Sequence, residues 1–458
     1  MKVCKFGGTS LANAEQIRKV CQIILNDGTR RLIVVSAPGK RYKEDIKVTD
    51  LLITFGEKLI ESGQAQAEWQ AVVDRYQEIC SELQLPPTCI GEIIANLQKL
   101  LQWNKEDSEG FMDVVKASGE DNCARVVAEY LRTLGAPATY INPRDAGLLV
   151  SGEYGNAQVL PEAYEKLALL KEKEGLLIFP GFFGYTQEGK LTTFSRGGSD
   201  VTGSILAAAV RAELYENFTD VDSVYAVNPQ LVPNPCKIKE ITYREMRELS
   251  YAGFSVFHEE ALIPAFRAEI PVCIKNTNNP SAPGTKIVTR RDNSSRIVAG
   301  IASDVGFCRI YVSKYLMNKE IGFGRRLLQI LEEEHLSYEH SPSGIDDITV
   351  ILRQHQLTKE KEARIVSRIK NELHVDDVHV QYNMALVMLV GEGMRSSVGI
   401  SARAATALAI ADINIEMINQ GSSEVNLMFG VRAGDADNAV IALYQEFYKE
   451  EELSLGIC

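Results

Sequence analysis

Short apolar segments alternate with amphipathic ones along roughly the first 300 residues. Val3–Phe6 is a candidate strand that leads into a double glycine, and Arg31–Ser36 is almost continuously apolar. Runs of this kind are typical of strands buried on both faces of a mainly parallel sheet. Further candidate strands are Ala138–Ile141, Leu176–Phe179, Ala212–Phe218 and Val272–Lys275. Strands that alternate with helices predict an α/β fold, with a mainly parallel sheet sandwiched by helices.

Two kinds of segment interrupt this alternation. From Gly63 to Asn104 polar and apolar residues mix in a mostly helical pattern, which we interpret as a helical excursion from the sheet. Pro143–Gly147 and Pro280–Gly284 are rich in turn residues and predict connections.

The pattern changes after about residue 300, where strand, helix, strand, strand and helix follow one another twice. The first round has strands at Cys308–Val312, Leu336–His340 and Ile348–Leu352, and helices at Arg325–Glu334 and Lys359–Leu373. The second round has strands at Ala385–Val390, Ile413–Ile418 and Val425–Val431, and helices at Val398–Ala411 and Ala436–Tyr448. Each round predicts a small sheet covered by helices on one face. Because the two rounds share little identity, two unrelated small α/β domains are the alternative.

Composition limits the kinds of partner. The 458 residues are 45% apolar and 24% charged, as in an ordinary enzyme of two or three domains, and the net charge is −12. Nucleic acids and anionic membranes attract basic surfaces, so neither is expected as a partner. An anionic small substrate remains compatible, because a few local cations and backbone N–H groups suffice to bind it.

Cysteine usage and the N-terminus bear on the compartment. The nine cysteines are scattered and form no Cys-x-x-Cys pair, which predicts free thiols. The N-terminal residues reach turn glycines at once and lack the apolar core of a signal peptide. The longest apolar runs, such as Met384–Val390, are too short to span a membrane. We therefore expect a cytoplasmic protein.

Candidate chemistry begins where the first strand ends, in Lys5–Ser10 (KFGGTS). Glycines let backbone N–H groups approach a ligand, and a helix N-terminus presents unpaired N–H groups. With the charge of Lys5, this segment suits a phosphate group, although a plain strand–turn–helix connection is the simpler interpretation of the pattern alone. The chain lacks G-x-x-x-x-G-K-[ST], H-R-D and D-F-G, which disfavours P-loop kinases and protein kinases.

A second double glycine lies in Phe194–Asp200 (FSRGGSD), ahead of a helix predicted to start near Thr202. Arg196 could hold a carboxylate by two parallel hydrogen bonds, and Asp200 could orient a lysine or a nucleophile. Two such turns in one domain suit the two ends of a phosphoryl transfer. For this second turn alone, a structural salt bridge at a helix cap is the better interpretation.

Three segments together resemble aspartate kinases of the amino acid kinase family: Lys5–Ser10 (KFGGTS), Ser195–Asp200 (SRGGSD) and Thr219–Tyr225 (TDVDSVY). Ala117–Glu120 (ASGE) and Lys275–Thr277 (KNT) follow in the same order as in that family. The likeness covers essentially the whole chain, and it is similar in particular to monofunctional aspartate kinases of lysine biosynthesis. It implies an amino acid kinase domain over residues 1–300 and two ACT-type βαββαβ units, over 301–382 and 383–458.

The resemblance implies transfer of the γ-phosphoryl group of ATP to the side-chain carboxylate of L-aspartate. This reaction is the first step of lysine, threonine and methionine biosynthesis. The implied catalytic residues are Lys5, Gly8 and Asp200, with Asp200 orienting Lys5. The implied aspartate-binding residues are Ser36, Thr49, Glu120, Phe182, Arg196, Gly197 and Ser199, in which Arg196 holds a carboxylate and Glu120 the ammonium group. The implied nucleotide-binding residues are Lys5, Gly7, Gly8, Thr9, Ser10, Thr219, Asp220, Tyr225 and Gln230.

The chemistry of such a reaction agrees with these motifs. The attacking carboxylate is already ionised at neutral pH, so no general base is needed and no histidine lies in the motifs. Mg²⁺ is expected with ATP, held mostly by phosphate oxygens and water, and no protein ligand is assigned to it. Gln230 and Ser255 depart from the family pattern, because each stands where a positive charge is common near ATP. The residues that clamp the nucleotide therefore stay open.

The resemblance also implies control by an amino acid, expected to be lysine, bound between ACT units of a homodimer or a dimer of dimers. The implied effector residues are Met317, Gly322, Phe323, Tyr338 and Glu339. Backbone groups of Met317–Gly324 would bind a carboxylate, and Glu339 would bind the ammonium group. Asp346 and Asp347 are rivals for that acidic position, and a solvated acidic loop is the alternative.

Two rival functions follow from the same residues. One is a kinase of this fold that acts on glutamate, acetylglutamate or UMP, against which Ala117–Glu120 and the appended ACT pair favour aspartate. The other is a non-catalytic amino-acid sensor, against which the intact Lys5, Arg196 and Asp200 argue.

Overall fold

A computed structural model describes residues 1–103, 106–195, 197–254, 261–293 and 296–455, with side chains up to residue 448. These residues form two compact units. The first unit consists of the described residues of Met1–Val224, Lys237–Met246 and Ser255–Arg291. The second consists of the described residues of Tyr225–Cys236, Arg247–Phe254 and Asp292–Cys458. The three domain ranges predicted from the sequence stay a prediction.

The first unit is built around a sheet whose strands match the apolar runs of the sequence. Its strands are β1 (Lys2–Phe6), β2 (Arg30–Val35), β3 (Ala138–Tyr140), β4 (Leu176–Pro180), β5 (Phe183–Tyr185), β6 (Leu191–Thr193), β7 (Leu214–Thr219), β8 (Glu240–Thr242), β9 (Val272–Asn276) and β10 (Thr285–Val288). The main sheet has the order β3-β4-β2-β1-β7-β9-β10-β8, and β5 pairs with β6 in a separate hairpin. Neighbouring strands of the main sheet are parallel except β9 and β10. The mainly parallel sheet is thus confirmed.

Helices connect these strands. They are α1 (Ala14–Leu25), α2 (Val48–Ser62), α3 (Gln66–Glu82), α4 (Pro87–Leu101), α5 (Ser108–Thr133), α6 (Pro143–Ala146), α7 (Pro161–Ala168), α8 (Gly198–Ala209), α9 (Tyr243–Tyr251) and α10 (Ile263–Arg267). Helices α3 and α4 form the expected helical excursion. The helix expected near Thr202 begins at Gly198 instead, because Gly197 takes a left-handed φ of 80° and caps it, which brings Asp200 into its first turn.

The core of the first unit buries β1 and the apolar face of α1. Val3, Cys4 and Phe6 of β1 are fully buried, as are Ile17 and Val20 of α1. Burying one large aliphatic or aromatic side chain contributes about 1.5–3 kcal/mol. The central strand is therefore held firmly between helices, and residues at its end have defined positions.

The strand order creates a crevice at the end of β1. The chain leaves β1 through α1 towards β2 on one side, and later returns to β7 on the other side of β1. In open α/β sheets, ligands bind at the carboxyl ends of strands where the connections diverge in this way. Lys5 and Phe6 lie at that end of β1.

The second unit contains one five-stranded antiparallel sheet in the order β12-β11-β13-β15-β14. Its strands are β11 (Gly300–Ser313), β12 (Asp347–Arg353), β13 (Asp377–Val390), β14 (Met417–Asn419) and β15 (Asn426–Arg432). Its main helices are α11 (Phe323–Glu333), α12 (Lys359–Leu373), α13 (Ile400–Ile410) and α14 (Ala436–Leu455). Strands and helices alternate as expected for ACT-type units, except that the first round lacks one of its three predicted strands.

Two predicted strands of this unit are wrong in extent. Leu336–His340 is irregular and forms only an isolated bridge from His340 to Ile351, followed by Pro342, which cannot donate to a strand ladder. In the second round, the strand expected from Ile413 begins at Met417. The N–H of Ile413 donates to the carbonyl of Leu408, so Ile413 still belongs to the end of α13.

The long strands β11 and β13 each serve both ACT-type units. Gly300–Val305 pairs with Ala385–Val390, whereas Phe307–Ser313 pairs with the first half of β13 and with β12. A register shift at Gly306, which has a φ of 86°, separates the two halves. The first half of β11 therefore completes the sheet of the second ACT-type unit.

Seven cysteines among the described residues are free and buried. Cys236 is disulfide-bonded, which corrects the expectation of free thiols at that position. Among the described residues, no helix combines the length and apolarity needed to cross a membrane.

Candidate active site

Lys5 and Asp200 meet at the crevice beyond β1. Nζ of Lys5 lies 2.6 Å from Oδ1 of Asp200, and the two side chains are only 9% and 16% exposed. Lys5 comes from the central strand, and Asp200 from the first turn of α8. The structure thus brings together the two glycine turns that the sequence singled out.

Asn217 is a further residue of this cluster, and sequence reasoning missed it. It is the register partner of Lys5 on β7, and its Nδ2 donates to Oδ1 of Asp200 at 2.5 Å. The same Nδ2 lies 3.2 Å from the hydroxyl of Tyr215, which donates to the backbone carbonyl of Asp200. The available signal was the polar pair Glu216–Asn217 in the middle of a strand flanked by aromatic residues.

The Gly7–Gly8 turn lies against the backbone of Phe218, Ala37 and Gly39 and beside Nζ of Lys5. The N–H of Gly7 donates to the carbonyl of Phe218 at 3.1 Å, so this N–H is already used by the sheet. A 3₁₀ turn then runs from Gly8 to Leu11, and the first N–H groups of such a turn have no partner within it. A phosphate group would therefore meet the N–H groups of Gly8 and Thr9.

Gly39 supports this turn and was also missed. Its N–H donates to the carbonyl of Gly8 at 2.8 Å. A Cβ at position 39 would lie 2.6 Å from the carbonyl carbon of Gly8. The loop after β2 can therefore approach the turn only with glycine at this position.

A hydrogen bond between Ser10 and Thr277 links the Lys275–Thr277 segment (KNT) to the turn after β1. Their buried hydroxyl groups lie 2.7 Å apart in a hydrogen bond. The N–H of Thr277 donates to the carbonyl of Thr219 at the end of β7. The Ser10 hydroxyl is engaged inside the protein, whereas Thr9 is exposed.

Glu120 has an unusual environment for a carboxylate. It is buried on α5, with the backbone N–H of Ala37 close enough to its carboxylate to lower its pKa. Its Oε2 atom has no hydrogen-bond partner among the described residues. Burial raises the pKa of Glu120 to about 7, against the opposing effects of the Ala37 N–H and of the charges of Lys47 and Lys5. A buried, unpaired carboxylate oxygen is costly, so this site favours a cationic ligand group.

Phe182 and Ser199 pack at the start of α8. Phe182 has a φ of 80°, and its N–H donates to Oγ1 of Thr202 at 3.0 Å. A Cβ on Gly198 would lie 2.5 Å from the Phe182 ring, and one on Gly181 would lie 2.6 Å from Oγ of Ser199. These glycines allow the connection after β4 to contact the start of α8 directly.

The other predicted site residues have varied positions. Ser36 follows β2, and its N–H donates to the carbonyl of Phe6 at 3.2 Å. Thr49 is half-buried in the first turn of α2, and Asp220 is exposed directly after Thr219. Tyr225 and Gln230 belong to the second unit. Arg196 and Ser255 lie outside the described residues.

Within the second unit, Gly322 has a φ of 80° and caps α11, which begins at the buried Phe323. Met317 is buried, and Tyr338 is 46% exposed. Asp346, one rival for the acidic position, accepts a hydrogen bond from the N–H of Leu316 at 2.8 Å.

The carboxylate of Glu339 is already engaged within the second unit. The hydroxyl of Tyr251 donates to one of its oxygens, and Nε of Arg353 lies 3.4 Å from the other. An effector ammonium group at Glu339 would therefore share this carboxylate with Arg353.

Comparisons with known proteins agree with this geometry. Residues 1–276 match the amino acid kinase family, and residues 387–447 match the ACT domain. Aspartokinase 3 of Bacillus subtilis is 60% identical over 448 residues, covering 98% of this chain and 99% of that protein. The crystal structure of Clostridium acetobutylicum aspartate kinase is 38% identical with a TM-score of 0.86, covering 98% of this chain and all of that chain.

Escherichia coli aspartokinase III has been solved with aspartate and ADP in an R-state. That structure is 26% identical with a TM-score of 0.80, and covers 98% of this chain and all of that one. A T-state structure of the same enzyme contains lysine and aspartate, at 27% identity, a TM-score of 0.79 and the same coverage. The chain therefore belongs to the amino acid kinase family and, within it, to the monofunctional aspartate kinases. It is an ATP-dependent aspartate kinase, as the sequence motifs predicted.

Proposed function

We propose that this enzyme transfers the γ-phosphoryl group of ATP to the side-chain carboxylate of L-aspartate at the crevice where Lys5 meets Asp200. The observation that carries this proposal is the nearly buried 2.6 Å contact between the two residues at the carboxyl end of β1. A cation held there can stabilise charge on a phosphoryl group in transit, which is the main task in this chemistry.

The proposed reaction is a direct displacement. A side-chain carboxylate oxygen of aspartate forms a bond to the γ-phosphorus, while the bond from that phosphorus to the β,γ-bridging oxygen breaks. The products are 4-phospho-L-aspartate and ADP. Mg²⁺, when bound with ATP, would offset part of the negative charge of the phosphates. Among the described residues no cluster of three or more His, Cys, Asp or Glu side chains suits a metal ion, so we assign no protein ligand.

Aspartate recognition is proposed to depend on Glu120 and Arg196. The unpaired Oε2 of Glu120 supports a contact with the substrate ammonium group. Arg196, by resemblance to the family, would hold a carboxylate through two parallel hydrogen bonds. The remaining proposed pocket residues are Ser36, Thr49, Phe182, Gly197 and Ser199.

ATP is proposed to lie along the same edge of the sheet. The turn formed by Gly7, Gly8, Thr9 and Ser10 would bind its phosphates together with Lys5. Thr219 and Asp220 are the proposed first-unit contacts to ribose and base, whereas Tyr225 and Gln230, in the second unit, stay predictions from the sequence. Support comes from Thr219, which ends the strand next to β1 and is tied through Thr277 to Ser10.

Feedback control by lysine is proposed to act through the ACT-type units of a dimer. The lysine-bound T-state of the Escherichia coli enzyme supports this choice of effector. The exposed turn before α11 and the residues Met317, Gly322, Phe323, Tyr338 and Glu339 form the proposed site. A cytoplasmic location and a role at the start of lysine, threonine and methionine biosynthesis are part of the same proposal.

A substrate panel tests the proposed reaction. The purified protein is incubated with ATP, Mg²⁺ and one acceptor at a time, and the acyl phosphate is trapped with hydroxylamine. We expect an aspartate hydroxamate and equal ADP release, with no product from glutamate, acetylglutamate or UMP. ADP release without hydroxamate would exclude a carboxylate acceptor, and product from another acceptor would replace aspartate in the proposal.

A further inference from the structure

We propose that Asn217, assisted by Tyr215, is a positioning residue that fixes the carboxylate of Asp200 against Lys5. The inference rests on the catalytic roles proposed for Lys5 and Asp200. It assigns to β7 a function in the reaction beyond its place in the sheet.

The geometry of the shared oxygen carries the argument. Oδ1 of Asp200 accepts from two donors, Nζ of Lys5 at 2.6 Å and Nδ2 of Asn217 at 2.5 Å. A single bond to Lys5 would leave the carboxylate free to rotate about its side-chain torsions. The second donor comes from a rigid strand, so it selects one orientation of Asp200.

Tyr215 fixes the backbone to which this carboxylate is attached. Its hydroxyl donates to the backbone carbonyl of Asp200 and lies 3.2 Å from Nδ2 of Asn217. A Cβ on Gly203 would lie 2.4 Å from this hydroxyl, so glycine leaves room for Tyr215 beneath α8. The side chain and the backbone of Asp200 are therefore held by the same pair of residues.

The burial of Asn217 and Tyr215 indicates that their polar groups have a function. Asn217 is 3% exposed and Tyr215 is fully buried. Burying an amide costs free energy unless its groups are paired, and an apolar side chain would pack between sheet and helix without that requirement. Residues 215 and 217 project to the same face of β7, and Asn217 lies beside Lys5 across parallel strands. The amide thus bonds Asp200, which also forms the ion pair with Lys5.

Kinetic analysis of Asn217→Leu and Tyr215→Phe tests the proposal. Leucine has a similar volume but no donor, and phenylalanine removes only the hydroxyl. We expect kcat to fall roughly 10- to 100-fold for Asn217→Leu and less for Tyr215→Phe, because misplacing a catalytic group slows the chemical step. The KM values for aspartate and ATP should stay within about twofold, since neither residue is proposed to bind ground-state substrate.

Tyr243→Phe is the matched control. The buried hydroxyl of Tyr243 also donates to a backbone carbonyl in the first unit, that of Ile270. Ile270 precedes β9 and so lies at the amino end of that strand, whereas Lys5 lies near the carboxyl end of β1. We expect Tyr243→Phe to change the melting temperature about as much as Tyr215→Phe does, but to leave kcat normal. If Tyr243→Phe lowers kcat as much as Tyr215→Phe, the effect is general destabilisation and the proposal is wrong.

A double-mutant cycle with Asp200→Asn completes the test. If Asn217 acts through Asp200, adding Asn217→Leu to Asp200→Asn should lower kcat by less than about twofold. An equal loss in both backgrounds, or a loss confined to KM, overturns the proposal. Should Asn217→Leu not fold, the cycle is measured with Tyr215→Phe. Normal kcat in Asp200→Asn alone would instead refute the proposed function.

Discussion

Nζ of Lys5 and Oδ1 of Asp200 lie 2.6 Å apart, at the end of the central strand and in the first turn of α8. Both side chains are nearly buried, so their attraction is screened less than that of a surface pair. The carboxylate holds the ammonium group where the glycine turn would place a phosphate. Lys5 is thereby positioned before ATP arrives.

This arrangement predicts large rate effects. Lys5→Ala and Asp200→Ala should each lower kcat roughly 10²- to 10³-fold, because both act on charge in the transition state. Circular dichroism should show that the variants stay folded. Lys2→Ala is the matched control, since Lys2 forms a 2.7 Å ion pair with Asp27 at the other end of the same strand. Normal kcat in either active-site variant would remove that residue from the catalytic set.

Glu120 predicts a pH dependence of aspartate binding. Its pKa is raised to about 7, so the carboxylate is protonated below that pH and ionised above it. KM for aspartate should therefore fall as pH rises through about 7, while KM for ATP stays unchanged. Glu120→Gln should abolish this pH dependence. It should also lower kcat/KM for aspartate by a factor that corresponds to roughly 2–5 kcal/mol. Wild-type kcat/KM for aspartate in the variant would refute the assignment.

The same carboxylate predicts a gain in stability on substitution. A carboxyl group whose folded pKa lies above its unfolded value destabilises the folded state as pH rises from about 4.5 to about 7. Glu120→Gln removes this penalty and should raise the free energy of unfolding at pH 8 by about 1–3 kcal/mol. Chemical denaturation without ligands at pH 4 and pH 8 measures it. A gain of equal size at both pH values would show that ionisation is not the cause.

Gly39 predicts a steric effect on the phosphate turn. A Cβ there would lie 2.6 Å from the carbonyl carbon of Gly8, and backbone cannot move aside cheaply. Gly39→Ala should raise KM for ATP and lower kcat together, by about 10-fold or more. At Gly28 an added Cβ has no neighbour within 4 Å, so Gly28→Ala should be nearly silent. Equal kinetics in the two variants would contradict the proposed role of the turn.

Glu339 predicts a change in regulation. Glu339→Ala should be active, with unchanged KM for aspartate, but less inhibited by lysine, and Glu332→Ala on the exposed side of α11 serves as control. Glu339→Ala removes both the proposed contact with lysine and the hydrogen bond from Tyr251 to Glu339. Of the two, Tyr251→Phe removes only the hydrogen bond and so separates these effects. Lysine inhibition should persist in Tyr251→Phe if Glu339 contacts the effector directly. Inhibition that is purely competitive with aspartate, or absent altogether, would count against the ACT-type units as the lysine site.

Much of the local structure was predictable because it depends on short-range patterns. Continuous apolar runs marked β1, β2 and β4, and Lys359–Leu373 is a helix with the expected ends. Failures occurred where a single residue changed the local outcome. Gly197 caps α8, which therefore starts before Thr202. The strand predicted at Leu336–His340 is irregular, and Pro342 follows it.

The sequence by itself determined the two glycine turns, the α/β class and the family, because these depend on residue types at short, fixed spacings. Only the tertiary structure decided that Asn217 bonds Asp200 and that Oε2 of Glu120 has no partner among the described residues. It also decided that β11 serves both ACT-type units. Contacts of this kind depend on strand order, register and burial, which arise from packing between distant segments. They are not visible as a periodic pattern in the sequence.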